Sequence, residues 1–138
     1  MGAADISGLD EFISQWNDSP SRTKKAFLHF VNHLEQKEGV SFEFIARDGL
    51  TYSLRAKHVG RSAHPLFVLI DVIEDDPRWL SICFYREMVA DPDEKGDMVP
   101  EGLLGEDARC FDLEAFDDED VAYMEVRLDE AWQNSVKN

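Results

Sequence analysis

A chain of 138 residues is the size of one domain and can bury a single core without staples. Its formal net charge of -15 at pH 7 sets a repulsive field against a phosphate backbone, which disfavours direct nucleic-acid binding, and no apolar stretch is long enough to span a bilayer. Cys83 and Cys110 lie far apart with no CxxC pattern, so neither a disulfide framework nor a zinc signature is expected; with no secretion leader in view, the reading is a reduced, soluble, cytoplasmic protein.

In chain order, Ile6, Leu9, Phe12, Ile13 and Trp16 recur at helical spacing and predict a short amphipathic helix over about 7–17. Ser19-Pro20 then supplies a cap and a first-turn proline for a second helix over about 20–37, with Phe27, Phe30, Val31 and Leu34 as its inner stripe and Gly39 as its stop. The two form a helical hairpin.

The period then drops to two. Phe42, Phe44 and Ala46 share one face of a strand over 40–46, and Tyr52, Leu54 and Ala56 share one face of a strand over 50–57. A three-residue loop Arg47-Asp48-Gly49 with left-handed glycine sets Phe44 opposite Tyr52 and Phe42 opposite Leu54. The nearly unbroken apolar run at 66–73 reads as a strand buried on both faces, and after a turn at Glu74 to Arg78 a further strand covers 79–85. This central hairpin is what the remaining segments are built around.

Residues 86–107, rich in acids with prolines and glycines interspersed, read as an irregular connection of the kind that is usually functional or mobile. A fifth strand follows at 108–113. Asp117 caps a final helix over about 118–136, with an acidic first turn and an inner stripe of Val121, Met124, Leu128, Trp132 and Ser135. The order predicts an α+β domain: a mainly antiparallel sheet of about five strands, with an N-terminal helical hairpin and a C-terminal helix covering one face.

Few patterns carry chemistry. His29 and His33 have the i, i+4 spacing of a metal pair but lack the glutamate of an H-E-x-x-H site and sit off the apolar stripe. Asp91 to Gly102 imitates a calcium loop until Lys95 and Gly102 fall on ligand positions. Neither cysteine has a neighbour in sequence that would activate it. No catalytic residue, metal or cofactor is therefore assigned, and the balance leans against an enzyme.

The charge is uneven: Arg47 to His64 carries a net +3 with two histidines besides, whereas Asp91 to Glu130 carries a net -13. Arg47, Arg55, Lys57, His58, Arg61 and His64 are thus candidate contacts for an anionic ligand, because guanidinium forks match carboxylate and phosphate. The competing expectation is that they neutralise the chain's own acids, Glu43 across the hairpin among them. The leading expectation is a non-enzymatic interaction or regulatory module binding another protein or a second copy of itself, with Leu28, Tyr123 and Val126 left over for a contact face. A small anionic-ligand binder or enzyme and an acidic nucleic-acid mimic are the alternatives.

Overall fold

The computed structural model describes residues 8–59 and 66–136. Within them lie α1 (Leu9–Gln15), α2 (Thr23–Glu35), β1 (Val40–Arg47), β2 (Thr51–His58), β3 (Leu66–Ile73), β4 (Trp79–Tyr85), β5 (Asp97–Leu103), β6 (Glu106–Leu113) and α3 (Asp118–Val136). The strands make one antiparallel sheet in the order β1-β2-β3-β4-β6-β5, with β3 and β4 at its centre.

All three helices cover the same face of the sheet, as an α+β domain requires. Phe12 of α1 packs on Phe44 and Tyr52, and the ring of Phe27 in α2 meets Phe12 and Trp16. Tyr123 and Trp132 of α3 lie against Phe111 and His58. The predicted inner stripes of α2 and α3 are the buried ones, apart from a half-buried Trp132. Beneath them Val68, Ile70, Val72, Leu80, Ile82 and Phe84 are fully enclosed, and at about 1.5–3 kcal/mol per large side chain this layer supplies the main driving force.

Four local expectations are corrected. The connection after Tyr85 contains a sixth strand, β5, which pairs with β6 through a two-residue turn at Leu104-Gly105. Both turn residues have positive φ, the backbone of a type I′ hairpin turn. Pro100 is tolerated because β5 is an edge strand with a register shift between Val99 and Leu103.

The β1–β2 register pairs Phe44 with Leu54 and Phe42 with Ala56, two residues from the expected pairing. The loop is Asp48-Gly49-Leu50, closed by the Leu50 N–H donating to the Arg47 carbonyl, which lets Tyr52 sit opposite Ala46 and stack under Phe12. A slip of two preserves both faces, so the polar and apolar sides are unchanged.

Helix α2 starts at Thr23, not near Pro20: its cap residue is Arg22 in the left-handed region, and the Asp18 carboxylate accepts from the Ser19 and Lys24 N–H groups. Finally, β3 is enclosed throughout its first three residues and on the helix side beyond them. Leu69, Asp71 and Ile73 on its other side are half-buried.

Candidate interaction surface

The face of the sheet turned away from the helices can be read row by row from the strand register. Nearest the β1–β2 turn run Arg47, Thr51, Ile73 and Trp79. The next row is Ile45, Ser53, Asp71, Ser81 and Asp112, and beyond it come Glu43, Arg55, Leu69, Cys83, Cys110 and Asp97. Among the described residues no helix crosses this face. Its two middle strands carry Ile73 and Trp79 on one side and Leu69 and Cys83 on the other of a polar row of Asp71 and Ser81, while its β1–β2 side holds Arg47 and Arg55 and its β6–β5 side Asp97 and Asp112.

Cys83 and Cys110 are directly opposed across β4 and β6 and are joined in a disulfide. This corrects the expectation of two reduced thiols. The cysteines looked unrelated because they are 27 residues apart in sequence, yet β6 returns beside β4 with both side chains on one face.

At the centre Asp71 accepts a hydrogen bond from the Ser53 hydroxyl. Burial raises its pKa above the usual carboxylate range, and the Ser53 bond and the charges of Arg47 and Arg55 offset only part of that. On the acidic side Asp112 is also raised, first by burial and then by the like charges of Asp97 and Glu114. That side of the face therefore brings Asp97, Asp112 and Glu114 together.

The basic segment does not converge on one cleft. Lys57 and Arg55 both reach Glu43, at 3.0 and 3.9 Å, and the Lys57 bond holds the Glu43 carboxyl below its ordinary value, with the charges of Lys57 and Arg55 acting in the same sense. Strand alternation sends His58 to the opposite side, against Trp132 with ring centroids 5.7 Å apart. Arg47 stands exposed at the end of β1. Arg61 and His64 lie outside the described residues.

Two further polar clusters lie on the helix side. The Asp91 carboxylate, 3 % exposed, accepts from the Lys95 and Gly96 N–H groups, from the Tyr123 hydroxyl and from Arg109. Burial alone would raise its pKa, but these donors outweigh it and the net shift is downward. The same burial and the neighbouring Asp91 push the Tyr123 phenol up. The cluster pins the start of the acidic connection to β6 and α3, and Arg127 stacks over the Tyr123 ring at 4.4 Å.

On the seam between α2 and α3, His29 pairs with Glu125, His33 with Asp129, and Lys37 also reaches Asp129. The ring of His33 runs between two carboxylates, its Nδ1 3.8 Å from Glu125 and its Nε2 2.8 Å from Asp129. Basic side chains and carboxylates thus alternate along the seam, and among the described residues no group of three or more His, Cys, Asp or Glu converges to hold a metal ion.

The leftover apolar residues do not form one patch. Tyr123 is occupied by Asp91 and Phe111, Leu28 is half-buried, and Val126 is exposed. The face that does carry apolar and charged side chains in order was missed. The signal for it was the second period of β3, where Leu69, Asp71 and Ile73 alternate with the core residues. No family model, curated protein or solved structure matches this chain.

Proposed function

We propose that this chain is a non-enzymatic protein-interaction module that docks through the helix-free face of its sheet. The observation that carries the reading is the layering: three helices share one side, and the other side presents Ile45, Leu69, Ile73 and Trp79 among ordered charges. An antiparallel sheet that faces only water usually alternates cleanly between apolar and polar sides. Ile45, Leu69, Ile73 and Trp79 are each left half-buried, and a covering protein surface would take the rest of their area out of water at about 25 cal/mol per Å².

The anionic-ligand alternative draws less support. Lys57 is paired with Glu43 at 3.0 Å, His58 belongs to the other side of the sheet, and Arg47 and Arg55 stand on different strands and rows without converging on one point.

Site-specific photocrosslinking in the host cell tests the docking reading. A benzophenone amino acid at position 73 should give one discrete polypeptide adduct, and the same group at position 126, on the outer side of α3, should not. Equal background at the two positions refutes the reading.

A further inference from the structure

The charges on the helix-free face are arranged so that the face complements itself, and we infer that its partner is a second copy of this chain. The inference rests on the docking reading above and names the occupant of that face. Consider two sheets stacked face to face about a two-fold axis that runs parallel to the strands, between β3 and β4. Such an axis reverses the strand order, so β1 and β2 of one copy lie over β5 and β6 of the other, and it keeps each residue in its own row. A two-fold axis perpendicular to the strands sets β2 over β2 and like charge over like, which excludes it.

In the allowed arrangement Arg55 comes over the segment of the second copy that holds Cys110, flanked by Asp97 and Asp112. Arg47 lies toward Asp112 and Glu114 of the second copy. At the centre Ile73 of each copy meets Trp79 of the other, Leu69 meets the disulfide, and the Asp71 carboxylate faces the Ser81 hydroxyl of the other copy. Each contact occurs twice, as an isologous interface requires. The pKa of Asp112 is raised first by burial and then by the like charges of Asp97 and Glu114, and the arriving arginines oppose the second of these.

The sheet is six strands wide and its strands are seven or eight residues long. At about 4.8 Å between strands and 3.4 Å per residue this gives a face of at most roughly 600 Å² per copy, of which Ser53, Cys83 and Tyr85 are already enclosed. Twice that area is at the low end of specific interfaces, so a reversible dimer is expected, with dissociation in the micromolar range.

Sedimentation velocity on the purified chain, from micromolar to millimolar concentration, tests this directly. The wild type should shift from monomer to dimer. Asp112→Lys, an exposed position on β6, and Arg55→Glu should each weaken association at least tenfold, with unchanged circular dichroism. An equimolar mixture should recover dimer, because each face then meets its complement twice. Should Arg55→Glu unfold, Arg47→Glu replaces it at an exposed position.

A wild type that stays monomeric at millimolar concentration overturns the inference, and so does a dimer indifferent to both variants. The docking reading is judged separately by the crosslink at position 73. An adduct with a different polypeptide keeps that reading and rejects the second copy, whereas the absence of any discrete adduct rejects both.

Discussion

Replacing Asp91 with asparagine removes the charge on which the start of the acidic connection is organised while keeping nearly the same shape. The carboxylate is enclosed and accepts from two backbone N–H groups, the Tyr123 hydroxyl and Arg109. An amide has one accepting oxygen, so its NH₂ must face donors that need an acceptor, and Arg109 loses its counter-charge. Hydrogen bonds to charged groups are worth about 1.5–3 kcal/mol each, though not additively within one cluster, so the expected loss is about 3 kcal/mol. For a domain of this size that lowers Tm by roughly 10 °C. The pKa of Asp91 is depressed, so its contribution is fully present above the ordinary carboxylate pKa and disappears as pH falls through the folded-state value. Thermal unfolding of both proteins across pH 2 to 7 should therefore show a wide gap at neutral pH that narrows in acid. Coincident curves at pH 7 would refute the assignment of Asp91 as the anchor.

Arg78 lies within 5.1–5.5 Å of the ring centroids of Phe12, Trp16 and Tyr52 and is hydrogen-bonded to Glu74, so Arg78→Met should cost about 1–2 kcal/mol in denaturant unfolding; an unchanged midpoint would mean the cation contributes nothing beyond its stem. At the seam between α2 and α3, burial of Asp129 is outweighed by its bonds to Lys37 and His33, so its pKa is lowered and its contribution likewise fades as the solution is acidified. Its side chain is 41 % exposed, so Asp129→Asn should cost less than about 1 kcal/mol at pH 7, measured by urea titration; a larger loss would show that the seam acts as one cooperative unit. Thiol titration in guanidinium should find no free thiol before reduction and two after it, and closing a loop of 27 residues predicts that reduction lowers stability by about 3.5 kcal/mol. Two reactive thiols in the unreduced protein would contradict the disulfide.

What the sequence disclosed follows from which signals are local. The apolar run of β3, the stripes of α2 and α3 and the change of period at Val40 each depend on neighbours within one element, and these elements stand where periodicity puts them. β5 was hidden because only Leu103 in it is buried, and Pro100 and Gly102 argue against a strand unless the strand is known to be an edge. The β1–β2 register could not be fixed locally, since slips of two residues keep the same faces and only the stacking of Phe12 on Tyr52 separates them. The basic segment is contiguous in sequence, but alternation along β2 divides its side chains between two faces, and Glu43 lies beside two of them. The proposed docking face takes residues from all six strands, so no window of sequence contains it.

Two opposing electrostatic effects must meet at that face. Each copy carries a formal charge of -15, so two copies repel one another at long range, whereas the arginine and aspartate rows attract only when the faces touch. Salt does not weaken the two equally: the Debye length falls from about 30 Å at 0.01 M to about 8 Å at 0.15 M, which removes most repulsion between distant charges but leaves pairs at contact distance largely intact. Near 1 M it reaches about 3 Å, and the contact pairs are screened as well. Self-association measured by sedimentation should therefore be weak in dilute buffer, strongest at intermediate salt and weaker again at high salt. An apolar contact alone would strengthen steadily as repulsion is screened, and attraction between charged rows alone would weaken steadily. A monotonic response in either direction would show that the interface does not combine an apolar centre with opposed charged flanks.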